Sequence, residues 1–547
     1  MNKAFKAIWS DVRQSFVTTS EIQSSHGKRS KASVSLSVAT VLLATSGLVS
    51  AAYVETGTLG DKASWETAEY NYNWGLGAMN ASSAYALGFY GQNTTTGVMD
   101  SGAWLGNPDL DTPRITATHV TGVYGSSGNR YPQSIYATIQ KGVVPTAAEG
   151  QPFTEGEEFD VKGDYTLGLN DAHGTQVTGV IGAERNGEYG HGVAFKANVV
   201  VGNTGATDNN NYGPFQDYNY YFKGYKALAD AVNAGNGEYR GGMVNNSYGT
   251  NTKIYSSGGH RLTPDEMSEL LAGSGNYDRA SAAYAVTFSG DYSFLGLNDV
   301  PGADQYSTNP SAFEWEYMYF KLKYGDKPSF LDGAYDAVKG TNVILSWAAG
   351  NQDRGTPYLK GLYPYFHPEA EKNWLNAVGV MQTRGDNDQY MQATYCKAGL
   401  AKWWSMSGPT AYPGIGTTYV TTDLENGRLT TTGFNGTSAS DPQISGAFTV
   451  LQSRYPSMTA IQVKDVMYTT ASHIGANGQP FTNWTAAEGT PDVIYGWGMP
   501  DLEKGMYGPG QFLDHFEYRL SEPLDVWSND ITCLLYTSPS PRDYAAS

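Results

Sequence analysis

Short apolar runs alternate with helix-forming stretches along this chain, and that alternation constrains its fold more than any other feature of the sequence. The apolar runs predict buried strands at residues 94–102, 192–201, 243–249 and 343–351. The stretches between and after them predict helices at residues 173–182, 225–233, 331–339 and 443–454. Such an order implies an α/β fold, in which helices cover both faces of a parallel sheet.

An acidic residue, Asp100, closes the first predicted strand and is followed by Ser101 and Gly102. Functional groups of a parallel sheet gather where its strands end, so Asp100 is a candidate catalytic acid. An Asp-Ser-Gly sequence also forms ordinary turns. Taken alone, Asp100 is compatible with either role.

A histidine, His173, begins the helix predicted at 173–182, which carries Gly174, Thr178 and Gly182 at four-residue spacing. Small residues at this spacing share one face and let a helix pack closely against its neighbour. A single histidine is more often a surface or core residue than a base. The small-residue helix behind His173 favours the catalytic interpretation.

A serine, Ser438, stands in the run Gly-Thr-Ser-Ala-Ser-Asp-Pro at 436–442, just before the last predicted helix. Gly436 allows a tight turn, and the amide end of a helix favours negative charge beside a reacting serine. A serine in front of a helix is also a common N-cap. Ser438 is therefore a nucleophile or a cap.

The charge of the chain argues against one class of partner. Its 547 residues include 53 acidic and 35 basic ones, a net charge of −18 at pH 7. So acidic a chain argues against a nucleic-acid partner, because binding phosphates needs a basic surface.

The two cysteines, Cys396 and Cys533, exclude a disulfide scaffold and lack metal-ligand spacing. Cys396 is predicted to be a small buried side chain.

The first 51 residues have the order of an export signal. Lys28, Arg29 and Lys31 precede a moderately apolar run at 32–49, and small residues follow it. A transmembrane anchor is the alternative, but seven Ser and Thr between Ser33 and Ser50 make the run too polar for a comfortable span. The long stretch before it resembles the extended signal-peptide region of Gram-negative type V autotransporters.

Asp100, His173 and Ser438 supply an acid, a base and a nucleophile in that order along the chain. Subtilisin has its catalytic residues in the same order. With the runs at 98–102, 173–179 and 436–442, the chain resembles subtilisin-family (S8) serine proteases over about residues 65–502. With its N-terminus, it resembles the autotransporter passengers of that family.

The resemblance implies a role for each of these side chains. Ser438 would attack a substrate carbonyl, His173 would take its proton, and Asp100 would hold the imidazole. The side-chain amide of Asn351 and the backbone N–H of Ser438 would form the oxyanion hole. Outside this context, Asn351 would be an ordinary loop asparagine after a glycine.

The resemblance also implies a place for substrate. The segment Ser247, Tyr248 and Gly249 would be an edge that pairs with an extended peptide. A second substrate-binding segment precedes Asn351 and consists of Ala348, Ala349 and Gly350.

Some features depart from a minimal subtilisin. Ala439 and Ser440 resemble the related sedolisins, which use a glutamate base and an oxyanion-hole aspartate, but His173 and Asn351 favour the subtilisin side. The 73 positions from Asp100 to His173 and an insertion at about 250–331 leave substrate specificity open. No cofactor is expected for catalysis. Relatives bind structural calcium, but no spacing here identifies its ligands.

These resemblances divide the chain into an extended signal peptide at 1–51, a linker at 52–64, a catalytic domain at 65–505 and the start of a β-helical stalk at 506–532. The rest of the stalk and a C-terminal outer-membrane β-barrel are expected in the full-length protein. Residues 533–547 resemble a translated sequencing adapter, and uninterrupted genomic coding of them would contradict that hypothesis. The linker is too short for a folded prodomain, so we expect folding without a cleaved inhibitor.

We therefore predict a monomeric serine endopeptidase that cleaves proteins or peptides. It would be exported through the periplasm to the surface or surroundings of a Gram-negative bacterium. The alternative is a surface adhesin on a protease scaffold without activity, supported by the 40 tyrosines and the insertion. The four intact residues Asp100, His173, Asn351 and Ser438 argue against it. A lipase or esterase would need a Gly-x-Ser-x-Gly turn, and Ser440 stands where its second glycine would be.

Overall fold

A computed structural model describes most of the predicted catalytic domain and part of the N-terminal region. The described residues are 5–10, 15–20, 53–129, 152–164, 172–187, 190–204, 217–248, 328–351, 355–382, 390–392, 395–410, 417–423, 428–487 and 489–508. The chain forms two units, residues 1–55 and 56–547. Across these described ranges, no helix has both the length and the apolar character to cross a membrane.

In the described residues of the first unit, β1 (Phe5–Ser10) and β2 (Ser15–Ser20) pair as an antiparallel hairpin. Its strands lie within the predicted signal peptide. The apolar signal run at 32–49 lies outside the described residues.

The second unit combines many short strands with helices of various lengths. Its strands are β3 (Thr95–Asp100), β4 (Ile115–Ala117), β5 (His119–Val123), β6 (Gly128–Asn129), β7 (Pro152–Phe153), β8 (Glu158–Lys162), β9 (Asn198–Asn203), β10 (Met243–Asn246), β11 (Ile344–Ala348), β12 (Trp374–Gln382), β13 (Tyr390–Gln392), β14 (Ser405–Pro409), β15 (Thr417–Asp423) and β16 (Arg428–Phe434). Its α-helices are α1 (Ala68–Asn71), α2 (Trp74–Ala78), α3 (Ala81–Ala86), α4 (His173–Gly182), α5 (Tyr218–Asn236), α6 (Phe330–Val338), α7 (Leu359–Phe366), α8 (Thr437–Arg454), α9 (Ala460–Thr469) and α10 (Leu502–Tyr507). Short 3₁₀ helices cover Lys62–Trp65, Pro368–Asn373 and Gly399–Trp404.

Eight of these strands form the central sheet. Its order is β13-β12-β11-β10-β3-β9-β4, and β14 also pairs with β12. All its pairings are parallel except that of β12 with β13. The predicted α/β fold with a parallel sheet is confirmed.

Helices cover both faces of this sheet, as strand β11 illustrates. Leu345 and Trp347 pack in one apolar cluster with α5 and α6, whereas Ile344 packs in another with α8 and α9. Because successive side chains of a strand point to opposite faces, β11 is buried from both sides. This explains why the predicted strands read as continuous apolar runs.

Several element boundaries differ from the predicted ones. Helix α5 begins at Tyr218, earlier than predicted, because the side chain of Asp217 accepts a hydrogen bond from the backbone N–H of Tyr220 and caps the helix. Helix α8 begins at Thr437 and so includes the serine run. Cys396 is fully buried, as predicted. The insertion up to residue 327 and the C-terminal residues 509–547 lie outside the described ranges.

Candidate active site

Three neighbouring strands end beside one another at the carboxyl edge of the sheet. Strand β3 ends at Asp100, β10 leads into Ser247, and β11 leads through Ala348 toward Asn351. In parallel sheets this edge is where ligands bind. The topology therefore brings predicted site residues from distant parts of the sequence to one place.

The predicted acid and base are hydrogen-bonded to each other. Nδ1 of His173 lies 2.8 Å from Oδ1 of Asp100. The side chain of Asp100 is fully buried, and 22% of the His173 side chain is exposed. The same carboxylate oxygen accepts the backbone N–H of Ser101 at 2.8 Å. Asp100 thus caps its own turn and contacts the histidine at the same time.

Close packing of α4 against the loop after β3 brings His173 to this position. A Cβ atom on Gly174 would lie 2.0 Å from the carbonyl oxygen of Gly102, so only glycine fits there. On its other side the imidazole meets the ring of Phe434 edge-on, with ring centroids 5.4 Å apart. The small-residue face predicted for this helix serves that approach.

The candidate nucleophile lies in the first turn of α8. Gly436 is the N-cap and has a φ of 85°, a conformation that favours glycine. Ser438 is therefore the second residue of the helix, and the interpretation of this serine as an N-cap is wrong. Its hydroxyl donates to the carbonyl oxygen of Ser247 at 2.6 Å. In this arrangement the hydroxyl hydrogen points to Ser247 and not to His173.

The side chain of Asn351 is held in one orientation. Its Oδ1 accepts the backbone N–H of Thr437 at 2.8 Å and the hydroxyl of Thr437 at 2.9 Å. The backbone N–H of Gly350 donates to that same hydroxyl at 3.0 Å. Because Oδ1 is used as the acceptor, the NH₂ group remains the donor, and it lies beside Gly436 at the amide end of α8.

The predicted edge segment has two described residues, Ser247 and Tyr248, and Gly249 lies outside the described ranges. Both are buried. The hydroxyl of Tyr248 lies 2.5 Å from that of Tyr225, and its ring meets Trp347 at 5.7 Å between centroids. Nζ of Lys360 lies 4.3 Å from the centroid of the Tyr248 ring. The side chain of Tyr248 thus belongs to the core, and pairing with substrate through the main chain stays a prediction.

The second predicted substrate segment, Ala348 to Gly350, is also buried. The backbone N–H of Ala349 donates to the carbonyl of Ala377 at 2.9 Å, and its carbonyl accepts the N–H of Tyr358 at 2.9 Å. The carbonyl of Gly350 accepts the N–H of Cys396 at 3.0 Å. These hydrogen bonds fix the backbone just before Asn351. Contact of the segment with substrate stays a prediction.

Asp441 is a buried acid close to the candidate nucleophile, and no function is predicted for it from the sequence. Asp441 is fully buried, and its carboxylate accepts hydrogen bonds from the hydroxyl of Ser346 and from the backbone N–H of Asn246. Burial, with a smaller contribution from the charge of Asp100, raises the pKa of Asp441 to about 7. The sequence feature that could have pointed to Asp441 is its spacing: an acid three residues after Ser438 lies on the same side of the helix as the serine.

Within the described part of the chain, no group of three or more His, Cys, Asp or Glu residues is arranged to hold a metal ion. The structural calcium suggested by the resemblance stays a prediction without ligands.

Comparison with known proteins gives a family assignment. The model of the subtilase family (peptidase S8) matches residues 91–498, which is more than half of the chain. The chain belongs to the subtilase family. Residues 1–50 match the extended signal peptide of the type V secretion system, so the N-terminus carries an export signal of that system.

Three curated relatives of this subtilase are longer bacterial proteins. An extracellular serine protease of Serratia marcescens is 25% identical over 482 residues, which cover 85% of this chain and 36% of that protein. Serotype-specific antigen 1 of Mannheimia haemolytica is 32% identical over 195 residues, covering 36% of this chain and 19% of the antigen. The autotransporter lipoprotein NalP of Neisseria meningitidis serogroup B is 24% identical over 186 residues, covering 32% and 15%. The chain thus spans only about a third of these relatives or less.

Proposed function

We propose that this subtilase is a serine endopeptidase that hydrolyses peptide bonds through an acyl-enzyme on Ser438. The observation that carries the proposal is the 2.8 Å contact between His173 Nδ1 and Asp100 Oδ1. In the neutral ring, Nδ1–H donates to the carboxylate, and Nε2 keeps the lone pair that a base needs. The buried carboxylate also stabilises the imidazolium that forms during the reaction.

The reaction begins when the Ser438 hydroxyl turns from Ser247 to Nε2 of His173. The serine oxygen then attacks the carbonyl carbon of the scissile bond while its proton passes to His173. The tetrahedral intermediate collapses, the C–N bond breaks, and His173 returns the proton to the leaving amine. Water then attacks the acyl-enzyme with His173 again as base, which restores the free serine.

Two donors would stabilise the oxyanion of each tetrahedral intermediate. One is the NH₂ group of Asn351, whose orientation Thr437 fixes through both of its hydrogen bonds to Oδ1. The other is the backbone N–H of Ser438, in the first turn of α8, where N–H groups have no intrahelical acceptor. Donors that are already in place cost no reorganisation during the reaction.

The substrates we propose are proteins or peptides in extended conformation, bound along the main chain of residues 247–249. We further propose that the chain acts outside the cell as an autotransporter passenger whose natural form continues into an outer-membrane β-barrel. The type V signal at residues 1–50 supports this context, as does a relative that is itself named an autotransporter lipoprotein.

The test is hydrolysis of an unfolded protein substrate by the purified full chain, with the cleaved bonds identified by mass spectrometry. We expect Ser438→Ala to lower the turnover by at least about 10³-fold, because the nucleophile and its base act as a unit. Circular dichroism of both proteins shows that the comparison is between folded chains. A folded parent that cleaves no peptide bond would contradict the proposal and would favour a binding passenger.

A further inference from the structure

One side of helix α8 packs along the end of strand β10 and the residue after it. Ser438, Asp441 and Ser445 lie three and four residues apart and therefore share that side. The hydroxyl of Ser438 donates to the carbonyl of Ser247 at 2.6 Å. At the other end of this side, Nδ2 of Asn245 donates to the hydroxyl oxygen of Ser445 at 3.1 Å. Asp441 lies between these two contacts.

The carboxyl group of Asp441 joins the ends of two strands. Its Oδ1 accepts the hydroxyl of Ser346 on β11. Its Oδ2 accepts the backbone N–H of Asn246 on β10 at 3.3 Å and lies 3.4 Å from the hydroxyl oxygen of Ser247. Burying a carboxyl group is costly unless it is hydrogen-bonded, and an apolar side chain would fill the same space at lower cost. Packing alone therefore does not account for an acid at this position.

We propose that Asp441 is a positioning residue for the nucleophile: its carboxyl fixes Asn246 and Ser247, and so the carbonyl oxygen that receives the Ser438 hydroxyl. This inference rests on the proposed role of Ser438. Asp441 is fully buried and acts on the serine only through Ser247. The bond to Ser247 fixes the position of the Ser438 oxygen before its hydroxyl turns to His173. Since a misplacement of about 1 Å can cost about 100-fold in rate, a loosened Ser247 lowers the reactivity of Ser438.

The hydrogen bonds around Ser247 depend on the protonation of Asp441. The hydroxyl of Ser247 has one hydrogen and donates it to Oδ1 of Asn245 at 2.9 Å. The contact between Ser247 and Asp441 is thus complete when Asp441 carries a proton and donates it. Burial raises the pKa of Asp441 to about 7, so both protonation states are populated near neutral pH.

Two other groups share this electrostatic environment from the elements packed around α8. The negative charge of Asp100, at the end of β3, raises the pKa of Asp441. The charge of Asp441 in turn helps to raise the pKa of Tyr225 on α5, which burial already places well above its ordinary value. Tyr225 therefore stays neutral, and Asp441 is the group whose raised pKa lies near neutral pH.

The experiment measures the second-order rate constant for labelling of the purified full chain by a fluorophosphonate. It compares the parent with Asp441→Ala and Asp441→Asn, each corrected for its folded fraction. We expect Asp441→Ala to react about tenfold more slowly or worse, because Ser247 loses its anchor. Asp441→Asn keeps the shape, and its amide oxygen can accept the N–H of Asn246 while its NH₂ group donates to the hydroxyl oxygen of Ser346. We therefore expect its rate at about pH 6 to stay within about threefold of the parent.

The matched control is Thr449→Val, which removes another buried hydroxyl from the same helix. Thr449 donates only within α8, to the carbonyl of Ser445 at 2.7 Å. We expect this variant to react at the parental rate. A folded Asp441→Ala that is labelled as fast as the parent would overturn the proposal.

If Asp441→Ala does not fold, the pH dependence of labelling decides. We expect the profile of the parent to contain an ionisation at about pH 7 from Asp441 that is missing from the profile of Asp441→Asn. Profiles of the same shape would overturn the proposal, because a purely structural role of Asp441 predicts no change. A folded parent that is not labelled at all would instead show that the proposed function itself is wrong.

Discussion

Two buried ionisable side chains contact opposite edges of the central sheet. Asp441 lies at the carboxyl edge and contacts the ends of β10 and β11. Lys464, on α9, lies at the amino edge, where its Nζ donates to the carbonyls of Glu371, Lys372 and Trp374 at 3.1, 2.9 and 3.1 Å. Trp374 is the first residue of β12. The same sheet thus carries a buried acid at one edge and a buried base at the other.

The two environments differ in what their hydrogen bonds connect. Lys464 uses all three of its N–H donors on backbone carbonyls near the end of the 3₁₀ helix Pro368–Asn373, groups that need partners wherever a helix ends. Asp441 is bonded to a side-chain hydroxyl and to a backbone N–H next to the candidate nucleophile. We infer that the amino edge serves stability, whereas the carboxyl edge serves the reaction.

The largest effect that separates the two edges should come from Asn351→Ala. We expect kcat to fall by about 10²–10³-fold with KM little changed, the known cost of removing this oxyanion-hole donor in subtilisin. Steady-state hydrolysis of a peptide substrate measures it, and urea unfolding serves as the control for stability. A variant with parental kcat would show that Asn351 does not stabilise the transition state.

Lys464→Met should lower the stability of the chain and leave its turnover unchanged. It leaves three backbone carbonyls, that of Trp374 buried, without their donor, so we expect the free energy of unfolding to fall by about 1–3 kcal/mol. Urea unfolding measures the loss as a lower midpoint at an unchanged slope. The turnover per folded molecule should not change, and a large fall in turnover would remove the functional distinction between the edges.

A smaller effect on the reaction should follow from Thr437→Val. The variant keeps the backbone N–H bond to Asn351 but loses the hydroxyl bond at 2.9 Å, so the amide is held less firmly. We expect about a tenfold fall in kcat, the equivalent of about one hydrogen bond. Thr437→Ser retains the hydroxyl and should restore the rate. Equal rates for the two variants would mean that this hydroxyl does not orient Asn351.

The effect of pH on stability is small when taken per pH unit, and it should differ in sign between the two edges. The folded chain raises the pKa of Asp441 from 3.8 to about 7, so the unfolded chain loses this proton first. Between those pH values stability falls as pH rises, by at most about 1.4 kcal/mol per pH unit. The folded chain lowers the pKa of Lys464 from 10.5 to about 8, so between about pH 8 and pH 10.5 stability rises with pH.

Urea midpoints measured across that pH range test both signs. Asp441→Asn should lack the fall at acid and neutral pH, and Lys464→Met should lack the rise at alkaline pH. A parent whose midpoint does not respond to pH in either window would contradict the environments assigned to these side chains.

The elements that carry the candidate triad could be predicted because their signals are local. Strand β3 ends at Asp100, α4 begins at His173, and Gly436 adopts the positive φ that a tight turn before Ser438 requires. Apolar runs and small-residue spacing depend on neighbours in the sequence, so they were sufficient for strands β3, β9, β10 and β11 and for the helices predicted between and after them. Strands β12 and β14 of the central sheet were not predicted.

What the sequence could not provide were contacts between distant segments. Asp441 and Asn246 are 195 positions apart, and Ser438 and Ser247 are 191 apart. Only the packed fold shows that α8 follows the end of β10, and so that Asp441 supports the segment facing the nucleophile. The contact between Tyr248 and Tyr225 could not be predicted either. The sequence placed Tyr248 in a substrate segment, whereas in the fold its side chain lies in the core beside Tyr225.

The most direct test of the account is the site of covalent labelling. The purified full chain is treated with a fluorophosphonate, digested, and mapped by mass spectrometry, beside Ser438→Ala and His173→Ala. The account predicts a single adduct on the peptide that contains Ser438, absent from the first variant and strongly reduced in the second. A folded parent with no adduct on Ser438, or with the same adduct in both parent and His173→Ala at equal rate, would contradict it.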